Sequence, residues 1–256
     1  MIRNFLPYFI FRRLFGDRRK YQNKFSENDS DWLIWSKFWE EFYETTQQSG
    51  VGAVVNNWGY KVLLDVDLSG KTVMEIGPGN LPHIKYWKNL PDKYIAIDTS
   101  ERHFEHLDKK LDKKIIVKKY LNKPNEIVSI PEDNIDVIMS FFSIEHIHNL
   151  EEILKFFYSK LNENGLLVVS FPNEGGIAWG MGRYLTTRRF VHKNTQINYD
   201  KIICFEHPNY VDNIISSIKA SNFKIISRKS YPLGNLMPLD LNLVTSLIIK
   251  KSSDIT

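Results

Sequence analysis

A single cysteine, Cys204, in 256 residues leaves no partner for an internal disulfide, which suits a reducing, cytoplasmic setting. No cysteine–histidine group has metal-ligand spacing: His146 and His148 stand two apart and cannot share a helix face. No metal is therefore expected. Charge of one sign is also scarce. A net charge of +4 forces no polyanionic partner, and past the first 21 residues no basic stripe is interleaved with aromatics, so no nucleic acid is expected. In those 21 residues the longest apolar run, Phe5 to Phe11, is broken by Pro7. It falls far short of the roughly 20 residues a bilayer span needs. Arg12 and Arg13 follow directly with no small-residue cleavage site, which reads against a secretory signal. Internal repeats and low-complexity segments are absent. What remains, 43% hydrophobic and 25% charged residues, is the composition of a globular α/β domain with additions.

The stretch Lys71 to Asp98, KTVMEIGPGNLPHIKYWKNLPDKYIAID, organises the rest. Short continuous apolar runs at Thr72 to Ile76 and Tyr94 to Ile97 read as parallel strands covered on both faces. Between them the spacing predicts a glycine turn and a helix. Gly77 and Gly79 let backbone come close to a ligand, and a helix beginning there would aim its N-terminal amides at it. Asp98 lies 21 positions after Gly77, at the carboxyl end of the second strand. A carboxylate so placed accepts hydrogen bonds from a ribose diol. The dinucleotide fingerprint would need a third glycine where Pro82 stands, which weakens a nicotinamide or flavin reading.

Glu75-Ile76-Gly77-Pro78-Gly79-Asn80-Leu81 resembles the first motif of class I S-adenosylmethionine-dependent methyltransferases, E/D-x-G-x-G-x-G, with Leu81 in place of the third glycine. The resemblance implies a doubly wound, mostly parallel seven-stranded α/β sheet with helices on both faces and an antiparallel C-terminal hairpin. It also implies S-adenosylmethionine as cofactor, with Glu75 at its amino end and Gly77, Pro78, Gly79 and Asn80 lining the turn. Asp98 would bind the ribose and Thr99 would lie beside the adenine. The family's adenine contacts past the third strand correspond to Tyr120 and Leu121. Ser140 and Phe141, at the end of the fourth strand, complete the expected cofactor set.

Further strands are expected at Ile115 to Val117, Ile135 to Ser140, Leu166 to Phe171, Phe223 to Ser227 and Leu243 to Ile249. Helices are expected at Val54 to Leu64, after Thr99-Ser100, from the capping box at Asn149 to Leu161, and from about Asn209 to Ala220. Asn164-Gly165 reads as a stop before the fifth strand. Trp58 and Tyr60 are expected near the cofactor turn. The segment IEHI also resembles small-molecule methyltransferases of this class, which would bring His146 to the transferred methyl or a substrate hydroxyl. A histidine hydrogen-bonded to backbone at the helix entrance is the other reading. Glu206 and His207 form a candidate acid–base pair, or else a helix cap and a surface histidine. Near 173–205, Gly175, Gly176, Gly180 and Gly182 stand among large side chains, as in a lid over a pocket or an ordinary insertion.

Residues 1–50 read as a basic, aromatic N-terminal extension before a methyltransferase domain at 51–256. Trp32, Trp35, Trp39 and Phe42 recur at helical spacing. Six basic residues face one acid, Asp17, in the first 21. Such a segment packs on its own domain or meets an anionic membrane surface. After the fourth strand SFFS replaces the Asn/Asp-Pro-Pro-aromatic element of enzymes that methylate bases. The expected reaction is methyl transfer, by in-line displacement, to a small-molecule, sugar or lipid-linked acceptor, on oxygen. Alternatives are a nucleoside-binding protein of this fold without catalysis and a nicotinamide-dependent oxidoreductase.

Overall fold

The short apolar runs become the interior of one sheet. The computed structural model describes residues 1–42, 50–123 and 129–252, without the side chains of 39–42, 50 and 51. Strands β1 (Thr72–Ile76), β2 (Lys93–Asp98), β3 (Ile116–Leu121), β4 (Ile135–Phe141) and β5 (Leu161–Pro172) are parallel. β6 (Phe223–Tyr231) and β7 (Val244–Lys251) close the edge antiparallel, in the order β3-β2-β1-β4-β5-β7-β6. Strand order reverses between β1 and β4, and ligands of open α/β sheets lie at the carboxyl ends beside such a switch.

Alternate residues of the central strands feed two cores. Met74, Ile95, Ile138 and Leu167 face α6 (Leu150–Lys160) and α10 (Val211–Ala220), whose Leu154, Phe157, Ile214 and Ile218 are buried. Val73, Tyr94, Val137 and Met139 face Leu63 and Leu68, and Phe104 and Leu107 of α5 (Glu101–Lys110). Burial on both sides, worth roughly 1.5–3 kcal/mol per large apolar side chain, is why these strands read as unbroken apolar runs. The Asn149 side chain accepts from the Glu152 amide at 3.3 Å, opening α6 as its capping residues predict.

Four segments depart from expectation. After the glycine turn no α-helix forms, only a 3₁₀ turn at Ile84–Tyr86. Leu81 takes a left-handed φ of +51°, and Pro82 and Pro91 bracket an interval too short for a helix and a return. β3 runs on to Leu121, so Tyr120 and Leu121 belong to the strand, paired with Ile97 and Asp98. Being an edge strand, β3 carries Lys118 and Lys119, which hide its pattern. β5 begins at Leu161 and passes through Asn164-Gly165, with a register shift opposite Ile135/Val137. The glycine-rich stretch is helical: α7 (Ile177–Leu185), α8 (Thr187–Asn194) and α9 (Tyr199–Glu206). Gly180 serves contact rather than movement, since a Cβ there would stand 2.5 Å from the Phe15 ring.

The N-terminal residues pack on this layer. A 3₁₀ turn at Ile2–Phe5 leads to α1 (Tyr8–Phe15), α2 (Arg18–Tyr21) and α3 (Ser30–Phe42), and α4 (Gly50–Tyr60) enters the sheet region. Arg3 holds Asp212 at 2.6 and 2.8 Å. Its guanidinium and that of Arg18 lie over the Tyr210 ring, 4.2 and 4.4 Å from the centroid. Trp35 is buried against Tyr199, ring centroids 5.7 Å apart. The Trp39 and Phe42 side chains and residues 43–49 lie outside the described residues, and α4 runs across the expected 50/51 boundary. Among those described, no helix is long and apolar enough to cross a membrane.

Candidate functional site

At the carboxyl end of β1, Gly77 and Gly79 adopt φ of +68° and +52°. A Cβ on Gly77 would collide with the Ser143 hydroxyl and stand 3.0 Å from its Cβ. Bare backbone is therefore required where the turn meets the end of β4. The Gly79 amide donates to Asp98 Oδ2 at 3.3 Å, and the Ser100 amide and His103 Nδ1 lie 3.0 Å from Oδ1. Three of the roughly four lone-pair sites of that carboxylate are thus engaged. Thr99 is exposed beside it and Pro78 is buried beneath the turn.

Other expected cofactor residues sit differently. Glu75 is fully buried: it accepts the Tyr94 hydroxyl, and His83 Nε2 is 3.0 Å from its Oε2. His83 is in turn packed between Tyr60 and Phe141. Tyr60 thus reaches the turn as expected, whereas Trp58 stacks on Tyr231 instead. The Tyr120 hydroxyl is bound by Glu132 at 2.8 and 2.9 Å, in a network with Lys118. That engagement turns it from a ring contact into an ion-network member. Leu121 is 52% exposed beside Asp98. Phe141 is buried in the core, and Ser140 is buried within β4. Around this corner Glu75 Oε1, Asn80 Oδ1 and Ser140 Oγ are buried without a hydrogen-bond partner. Each such group costs roughly 1–3 kcal/mol when unmet. A polar ligand at a cradle of two left-handed glycines fits these unmet groups.

The same turn leads to the second half of the site. The Ser143 hydroxyl lies against Gly77 and precedes a 3₁₀ turn at Ile144–His146, so His146 follows within roughly 6 Å of backbone. Asn209 braces this turn through the Ile147 carbonyl at 2.6 Å. His146 Nδ1 is 2.6 Å from the Glu206 carbonyl. A carbonyl only accepts, so Nδ1 carries the proton and Nε2 is left as a lone pair. Burial, then the His207 charge, hold His146 below the ordinary histidine range. The side chain is 40% accessible, with Nε2 3.8 Å from Glu145 Oε1. His207 meets it edge to face, ring centroids 4.6 Å apart at 90°. His207 is no surface residue. Its Nδ1 donates to Glu174 Oε2 at 2.9 Å. Burial opposes a charge on that ring, but the Glu174 hydrogen bond and the charges of Glu206 and Glu174 outweigh it and raise its pKa. Glu206 ends α9 rather than capping α10, whose N-cap is Tyr210. Its carboxyl is pushed up by burial.

Two functional candidates escape a reading of sequence alone. Glu174 is completely buried and also takes Arg183 at 2.5 and 2.7 Å and Trp179 Nε1 at 3.0 Å. These partners overcome its burial and hold it far below the usual carboxylate range. It stands two residues past β5, before Gly175 and Gly176, at the carboxyl end of the sheet. Glu145 is buried with Oε2 unpartnered, and burial pushes its carboxyl up to about 7. The N-terminal arm reaches this cluster: Arg18 donates to the His207 and Pro208 carbonyls at 2.5 and 3.0 Å, and Arg183 to that of Leu14 at 2.9 Å.

A model of the methyltransferase domain matches residues 59–227. An uncharacterized protein of Haemophilus influenzae is 30% identical over 109 residues, 41% of this chain and 43% of that protein, so the match spans under half of the relative. An S-adenosylmethionine-dependent methyltransferase from Clostridium acetobutylicum superposes with a TM-score of 0.56 at 12% identity, over 86% of this chain and 100% of that one. One from Mesorhizobium loti gives 0.54 at 14%, over 77% and 98%. The cyclopropane synthase MmaA2 from Mycobacterium tuberculosis gives 0.53 at 12%, over 82% and 88%. At these identities the superpositions establish a shared fold. With the domain match reaching from the end of α4 to within β6, the chain belongs to the methyltransferase domain family.

Proposed function

We propose that this protein transfers the methyl group of S-adenosylmethionine to an oxygen of a small-molecule, sugar or lipid-linked acceptor, with His207 as general base. The observation that carries the reading is the buried Glu174–His207 pair meeting His146 edge to face, on the turn that begins against Gly77. The cofactor's sulfonium supplies its own activation. The chain's tasks are to hold the acceptor in line and dry, which is worth roughly 7–11 kcal/mol when well oriented, and to take up a proton. Gly77, Gly79, Asn80 and Asp98 hold the donor. Glu174 fixes the Nδ1–H tautomer of His207, directs Nε2 outward as the base and stabilises the imidazolium that forms. His146, kept neutral, offers a second lone pair to position the acceptor hydroxyl. The fold alone fixes no acceptor, since a cyclopropane synthase shares it.

Incubation with methyl-labelled cofactor and a metabolite or envelope extract, followed by mass spectrometry, identifies what gains the label. His207→Gln should lower turnover by roughly 10²–10⁴-fold while the cofactor Kd measured by calorimetry stays unchanged. A retained rate would overturn the base assignment. Tight cofactor binding with no labelled product would favour a binding protein of this fold instead.

A further inference from the structure

The first 21 residues divide their cations between two sides, and the outward side is built unlike a solvated surface. Arg3 and Arg18 turn inward onto Asp212, Tyr210 and backbone carbonyls and are no longer available outside. On the inner face of α1, Leu14 and Phe15 are buried, Phe15 against Gly180. Phe9, on the outer face of α1, is 67% exposed, and Phe5, at the end of the preceding 3₁₀ turn, is 89% exposed. Neither ring has a ring partner or a cation over it among the described residues. Between α1 and α7 runs a groove of about 720 Å³. Arg12 and Arg13 line it together with Phe9, Ile10, Met181 and Leu185. No acidic side chain lines it, and neither arginine has an ion pair among the described residues. Arg12 Nε is buried there without a hydrogen-bond partner.

We infer that this face of α1 and α7 seats on an anionic phospholipid bilayer. Exposed rings beside guanidinium groups match the two layers of such a surface: aromatic side chains enter the headgroup–acyl boundary and cations meet lipid phosphate. The groove then takes a phosphate, with its apolar walls against the upper acyl carbons. A short helix with one signal binds reversibly at best; rings and cations together supply two. Docking does not depend on methyl transfer, and its test needs no cofactor.

The full chain is floated with vesicles of phosphatidylcholine with or without phosphatidylglycerol. The chain should rise with the anionic vesicles, stay behind with the neutral ones, and be released as salt is raised. Arg12→Gln/Arg13→Gln should weaken partitioning roughly 25-fold, about fivefold per charge. Phe5→Ser/Phe9→Ser, at positions the fold leaves bare, should weaken it at least as much with an unchanged Tm. Equal flotation of the wild type and the phenylalanine double variant would overturn the proposal. So would light scattering that finds a dimer which this variant dissolves, since a second copy would then cover the face.

Discussion

At Glu145 the fold holds a carboxyl away from water, with its Oε2 unpartnered and its pKa pushed up to about 7 from an ordinary 4.5. The folded chain keeps a proton there that the unfolded chain has released. Stability from this group is present below about pH 4.5 and falls as pH climbs towards 7. Glu145→Gln keeps the neutral shape and removes that decline. Scanning calorimetry should show the variant more stable at pH 7, by on the order of 2 kcal/mol, and unchanged near pH 4. A parallel shift at both pH values would refute the argument. His207 titrates in the other functional sense. A base must be unprotonated, and its pKa is raised, so the rising limb of kcat against pH should lie above the ordinary histidine value of 6.5. At Asp98, substitution by Ala should raise the cofactor Kd at least tenfold by calorimetry. His103→Ala, which removes a competitor for Oδ1, should not weaken binding. The placement of Asp98 and the two glycines was legible because a strand end and a tight turn depend on spacing and backbone freedom. Glu174 was not, because its role depends on Arg183, Trp179 and His207, which converge only after folding.

Among elements, the central strands were legible for the reason they exist: two-sided burial writes an unbroken apolar run. β3 was read short because an edge strand with two lysines carries little such signal. The helix expected after Gly79 failed against two prolines and a left-handed Leu81. Glycines near 180 suited either a lid or an ordinary insertion; at Gly180, where α1 meets α7, side-chain volume sets the identity. Gly180→Val should therefore press on Phe15 and cost about 1–3 kcal/mol, read as a lower Tm with the far-ultraviolet spectrum unchanged. An unaltered Tm would mean the two helices part freely. Arg18→Ala removes both bonds to the His207 and Pro208 carbonyls. It should slow turnover more than it alters cofactor affinity.

For the molecule as a whole, the sheet order and its reversal between β1 and β4 follow from a class of pattern that sequence displays well. The way the N-terminal arm bonds to the His207 segment does not, because no periodicity links residue 18 to residue 207. That long separation carries a consequence for synthesis. Arg18 bonds to His207, 189 positions on, and the Ile2 amide to Asp240, 238 positions on. A ribosome adding 5–20 residues per second needs roughly 10–40 s to supply the first of these partners. Until then the arm has nowhere to dock. Leu14 and Phe15, the inner residues of α1, must wait in the open, within reach of chaperones, while the helices that will cover them are still being made.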